Sequence, residues 1–146
     1  MEEIKKNIFY LLFILSLIAT IMSLYFSEFL HFTPCVLCWY QRICMYPLPI
    51  IFLVSIIRKN KDAVFYALPF SIVGFLIAIY HNLLYYKIIP EAISPCTATL
   101  PCTQQQLLLF GFFTIPLGSL ISFFVLNLLL IFYLFLARNK KIKKTI

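Results

Sequence analysis

Acidic residues are scarce in this chain, with five Asp and Glu among 146 residues, and charged residues of either sign make up only 12%. A soluble domain carries about 25%, so the shortage excludes an ordinary water-soluble fold. With 63% of the residues hydrophobic, there is more apolar surface than such a fold could hide. Also missing are a glycine-rich nucleotide fingerprint, an internal repeat and any low-complexity segment. Nothing here would cradle a dinucleotide, and there is no room for a flavin domain. The length suits a single domain, residues 1–146.

What replaces charge is a set of uncharged runs. Residues 7–27, 63–86 and 112–137 supply 21, 24 and 26 uncharged positions. At about 1.5 Å per residue each can cross a hydrocarbon core of about 30 Å. The run 43–57 has only 15, between Arg42 and Arg58. To span, its helix must begin near Cys38, which places Arg42 inside the membrane edge. The expected fold is therefore an all-α membrane protein, an antiparallel four-helix bundle with helices at about 7–27, 40–57, 63–86 and 112–137. The first helix lacks a small-x-small cleavage pattern and three spans follow it, so it is expected to be retained.

The net charge of +7 could suggest nucleic acid, but its distribution points elsewhere. Lys5, Lys6, Arg58, Lys59, Lys61, Arg138, Lys140, Lys141, Lys143 and Lys144 fall on one side by connectivity, leaving only Arg42 and Lys87 for the other. The positive-inside rule puts both termini in the cytoplasm and the other two loops outside. The basic tail is a topology and lipid-headgroup signal, and no nucleic-acid partner is expected. Small residues form packing stripes: Ser16, Thr20, Ser23 and Ser27, then Ser71, Gly74 and Ala78, then Gly111, Gly118 and Ser122. Pro47 and Pro49 should kink the second helix. Trp39, Tyr40, Tyr85 and Tyr86 suit an interfacial belt.

Both cysteine pairs lie in or beside the outer loops: Cys35 with Cys38, spaced C-x-x-C, and Cys96 with Cys102. Disulfides form and persist in an oxidising compartment. Spacing alone leaves redox exchange, structural staples and metal binding open; redox use leads, because C-x-x-C closes a small ring and is a poor staple. Zinc needs four donors at tetrahedral geometry, and the spacing does not match a zinc ribbon. Trp39 stands where covalent haem attachment requires histidine. Cys35 and Cys38 open a helix, where the dipole favours a thiolate. Arg42, one turn beyond Cys38, is costly at a membrane edge, and either snorkels or stabilises negative charge on Cys38 or a bound acceptor. With no nucleotide site, a quinone dissolved in the bilayer is a fitting acceptor for the two electrons of one dithiol.

The stretch Pro34-Cys35-Val36-Leu37-Cys38-Trp39-Tyr40-Gln41-Arg42 with Met45-Tyr46-Pro47 resembles the DsbB family, particularly its BdbC branch. So do Tyr80-His81, Pro95-Cys96, Pro101-Cys102-Thr103, Phe110-Gly111-Phe112 and Thr114-Ile115-Pro116. The likeness runs from the first helix through the fourth. It implies a bacterial cytoplasmic-membrane oxidase for disulfide bond formation, reoxidising a thioredoxin-fold DsbA/BdbD-like partner and passing electrons to menaquinone or ubiquinone. Carried over by position, the disulfides are Cys35–Cys38 and Cys96–Cys102, and all four cysteines are catalytic. Cys38 would face the quinone with Arg42, and Gln41 and His81 would neighbour it. Cys96 would take the partner's attack, and Cys102 would exchange with Cys35. No metal is expected.

The five-residue separation of Cys96 and Cys102 matches the BdbC branch, whereas other DsbB proteins use a much longer loop, so the order of exchange could differ. Cys44 reads as a small buried hydrophobe. Two other readings stay open: an enzyme like vitamin K epoxide reductase, whose C-x-x-C lies late in a similar bundle, and a membrane scaffold with structural disulfides or bound metal.

Overall fold

The computed structural model describes residues 2–29, 31, 34–59, 62–90 and 114–145, and every regular element among them is a helix. These are α1 (Glu2–Glu28), α2 (Val36–Met45), α3 (Pro47–Arg58), α4 (Ala63–Tyr85) and α5 (Ile115–Thr145). Among the described residues four stretches are long and apolar enough to cross a membrane: Lys6–Glu28, Val36–Arg58, Ala63–Tyr85 and Ile115–Arg138.

Helices α2 and α3 share one of these spans. They meet at Tyr46, because Pro47 has no N–H to continue the ladder and instead starts the next helix with its fixed φ. That span begins at Val36, earlier than the expected position 40, because Cys35 caps it. Helix α3 ends at Lys59 in the left-handed region, φ 50°, with its N–H on the Ser55 carbonyl. Helices α1 and α5 both outrun the uncharged stretches. No proline or glycine follows Gly118 to stop α5.

The chain runs up, down, up and down. Phe9 near the start of α1 meets Tyr133 late in α5 edge to face, centroids 4.9 Å apart, so the two ends of the chain lie at one end of the bundle. Asn82 of α4 donates to the Pro116 carbonyl of α5 at 2.8 Å at the opposite end. Midway, Asn127 donates to the Ser71 carbonyl at 3.1 Å. The small-residue stripe on α4 allows this approach: a Cβ on Gly74 would run into the Phe123 ring. The core comprises Leu12, Leu48, Phe52, Val64, Phe123, Leu126 and Leu130. In lipid, such contacts hold by dispersion, since the tails are as apolar as the side chains.

Candidate active site around the first cysteine pair

Cys35 is extended (φ −68°, ψ 167°) and caps α2, its sulfur accepting the Cys38 backbone N–H at 3.3 Å. A thiol here does what serine or aspartate usually does at a helix start. The cap and the three-residue spacing set the two sulfurs 2.7 Å apart. A disulfide measures about 2.05 Å, so only a small side-chain movement separates this geometry from bonding distance. Cys35 is only 8% exposed, while Cys38 is half-buried. The hydrogen bond from the Cys38 thiol holds Cys35 well below the usual thiol range, against the upward push of burial. His81, by hydrogen bond and charge, and the Cys38 N–H act in the same downward direction.

Helix α4 brings His81 up behind this pair, 2% exposed. Its Nε2 lies 3.7 Å from Cys35 Sγ and its Nδ1 3.2 Å from Gln41 Nε2. With the amide nitrogen of Gln41 donating, Nδ1 accepts and Nε2 carries the hydrogen towards the sulfur. Gln41 thereby fixes both the orientation and the tautomer of the ring.

Arg42 turns the other way. Its Nη1 donates to Ser27 Oγ at 3.3 Å and its Nη2 to the Ser23 carbonyl at 3.1 Å, and its guanidinium carbon stands 5.6 Å from the centre of the Trp39 ring. Two neutral groups towards the C-terminal end of α1 thus hold the cation in place. Its acceptors are neutral, so the positive charge is not cancelled by them.

Cys38, Gln41 and Arg42 line one side of a cavity of about 350 Å³. Opposite them stand Met22 and Phe26 of α1 and Gly118 and Ser119 of α5. The volume falls in the usual range for small-molecule pockets, about 300–1,000 Å³. Ile18 and Met22, which also line it, are 54% and 46% exposed on the apolar outside of α1, so the cavity meets the lipid-facing surface. Ser119 and Ser122 spend their hydroxyls on carbonyls of their own helix, leaving the α5 wall largely apolar.

The structure thus brings together Cys35, Cys38, Gln41, Arg42 and His81. It splits them into two sets: Cys38, Gln41 and Arg42 on the cavity, and Cys35 and His81 behind it. Cys96 and Cys102 lie outside the described residues. Cys44 is buried in the main core cluster. Sequence reasoning treated Ser23 and Ser27 as packing residues and missed that they hold Arg42. The available signal was the arginine itself, which needs polar partners at membrane depth.

Comparison with known proteins shows the family. Residues 5–133 match the family model described as disulfide bond formation protein DsbB. The chain is 41% identical over 118 residues to the SPbeta prophage-derived disulfide bond formation protein B of Bacillus subtilis (strain 168), covering 81% of this chain and 79% of that one. It is 40% identical over 134 residues to disulfide bond formation protein C of the same organism, covering 90% and 93%. It is 39% identical over 126 residues to a probable disulfide formation protein of Metapseudomonas resinovorans, covering 86% and 88%. No solved structure matches the chain. A C-x-x-C pair with its sulfurs side by side at the head of a membrane-spanning helix is thus found in a chain related along most of its length to proteins of disulfide formation, and this multi-pass membrane disulfide oxidoreductase belongs to the DsbB family, close to its BdbC-like members.

Proposed function

We propose that this protein is a quinone-dependent thiol oxidase of the bacterial cytoplasmic membrane. In this reading both termini are cytoplasmic and both cysteine pairs extracytoplasmic. Its substrate is a reduced thioredoxin-fold oxidase of the DsbA/BdbD kind. The observation that carries the proposal is the shared cavity: a redox sulfur and an uncancelled cation face one apolar pocket that meets the lipid-facing surface. Such a pocket suits a ring with polar carbonyls on a lipid-soluble tail, whether menaquinone or ubiquinone.

In outline, the partner's thiolate attacks Cys96 and displaces Cys102, which attacks Cys35 in the Cys35–Cys38 bond. Cys38 then departs as a thiolate at the head of α2, beside Arg42. Further exchange releases the oxidised partner, leaves Cys96–Cys102 bonded again and leaves Cys35 and Cys38 reduced. Cys35, favoured as a thiolate by Cys38 and with His81 beside it, supplies one sulfur of the bond that re-forms with Cys38. A bound quinone supplies the sink, accepting two electrons and two protons as dithiol becomes disulfide. Arg42 orients the acceptor and favours the negative charge that develops on it. Ser23 and Ser27 position Arg42.

The test mixes purified protein, reduced thioredoxin-fold partner and quinone, and follows quinone absorbance. Steady reduction by the wild-type chain is expected, with none above background for Cys38→Ser. Turnover by that variant would end the mechanism.

A further inference from the structure

We infer that the reduced protein carries a three-donor site for a thiophilic divalent cation, zinc or cadmium, formed by Cys35, Cys38 and His81. Their ligating atoms, two sulfurs and a ring nitrogen, all lie within 4.8 Å of one another. On a tetrahedral zinc, sulfur and nitrogen ligands stand about 3.6 Å apart, given Zn–S of about 2.3 Å and Zn–N of about 2.0–2.1 Å. Cys35 Sγ and His81 Nε2 are already 3.7 Å apart. The two sulfurs, at 2.7 Å, must separate to about 3.8 Å. Cys38 has the space to do so, because it is half-buried and borders the cavity.

The surroundings fit a metal as well as the donors do. The Cys38 N–H on Cys35 Sγ supports a bound thiolate without occupying the lone pair that would face the cation. Metal on Nε2 requires the hydrogen on Nδ1, and Gln41 can receive it by turning its amide so that the oxygen faces the ring. A partner of this kind on the far nitrogen orients most metal-bound histidines. Two thiolates and one divalent ion sum to zero charge, which suits the edge of an apolar membrane. The fourth position is left to water from the cavity side.

Binding is not a redox step. Cys35 enters as the thiolate and the Cys38 S–H bond gives way, so two metal–sulfur bonds form and one proton leaves. The disulfide and the metal need the same two sulfurs, so the site exists only in the reduced protein, and an occupying cation blocks reoxidation. The second cysteine pair is not required.

The experiment uses the full chain in lipid nanodiscs, reduced with a phosphine and desalted without oxygen. Cadmium is titrated in and the thiolate-to-metal charge-transfer band followed; zinc is measured by competition with a chromophoric chelator. One equivalent is expected in the reduced chain and in the Cys96→Ser/Cys102→Ser double variant, and none in the oxidised chain. His81→Ala should weaken binding at least about tenfold, and His81→Cys should restore it with a stronger charge-transfer band. If His81→Ala loses its helical circular dichroism, His81→Cys decides alone: an unchanged band there overturns the proposal. So does an absence of uptake by the reduced double variant, equal binding by the oxidised chain, or unchanged affinity in a folded His81→Ala. No partner or quinone is present, so failure here leaves the oxidase reading untouched.

Discussion

At the end of the bundle where the chain begins and ends, Ile8, Phe9, Leu12, Leu130 and Tyr133 are buried against one another. At the opposite end the buried residues include Cys35, Gln41, His81, Asn82 and Thr114. Both ends bury side chains between helices, but their energetics differ. Apolar contacts in a bilayer gain only dispersion, so the first end needs nothing beyond shape. Buried polar groups are expensive unless bonded, so a chain that concentrates them at one end has a reason other than stability. Polar groups do occur elsewhere, and the useful distinction lies in their partners. Asn127 in mid-bundle bonds carbonyls of its own and the neighbouring helix. Gln41, His81 and Cys35 bond one another through side chains. The first pattern pins helices together; the second sets up chemistry.

That comparison is most sharply tested at Arg42. Arg42→Ala should raise the KM for quinone about tenfold to a hundredfold, equivalent to about 1.4–2.7 kcal/mol of lost binding. Thermal stability should change little, because Ser27 Oγ and the Ser23 carbonyl lie at the end of α1 and are not sealed in the core. Arg42→Lys should recover part of the loss, since one ammonium cannot reach both acceptors as a planar fork does. Ser27→Ala should move KM in the same direction by only a few-fold. If Arg42→Ala instead melts the bundle and leaves KM alone, the polar end is structural after all.

The apolar end and the helix contacts predict the converse, a loss of stability. Gly74→Ala places a Cβ against the Phe123 ring, forcing α4 and α5 apart. Overpacking of this kind costs about 1–3 kcal/mol, and the melting temperature in detergent should fall accordingly. Combining it with Phe123→Leu should recover most of that loss, a coupling that a double-mutant cycle would measure. Additive losses would mean the two residues do not meet.

These contrasts were only partly legible beforehand. Three spans could be read from uncharged runs of more than twenty residues, because a bilayer tolerates little charge at its centre. Span length alone asks only for a start near Cys38, and α2 begins at Val36 because the thiol of Cys35 caps it. Cys35, Cys38 and Arg42 could be grouped because they share one helix start, where spacing fixes direction. His81 could be singled out as an ionisable residue in a span, but not oriented. Helix α4 is apolar on nearly every side, so no polar stripe says which way a given residue turns. Only the packing of α4 against α2 aims its ring at Cys35 and not at the cavity. On α1 the stripe of Ser16, Thr20, Ser23 and Ser27 is legible, but a small-residue stripe reads as packing and does not name Arg42 as the partner of Ser23 and Ser27.

The smallest effect is expected at Asn127, and it is the finest test of the distinction between pinning and working polar groups. Its Nδ2 donates to the Ser71 carbonyl at 3.1 Å and to the Phe123 carbonyl at 2.9 Å. Both acceptors belong to helix backbones, so removing the donor leaves neither carbonyl stranded. Interhelical hydrogen bonds in a membrane average about 0.6 kcal/mol and reach about 1.7 at most. Asn127→Leu should therefore cost about that average, a fall of a few degrees in melting temperature, with the KM for quinone unchanged. The leucine also adds dispersion contacts between α4 and α5, which offsets part of the loss. A change in KM would connect mid-bundle packing to the cavity through Phe123, which both lines that cavity and lies one turn before Asn127 on α5. The polar groups of this bundle would then form one system instead of two.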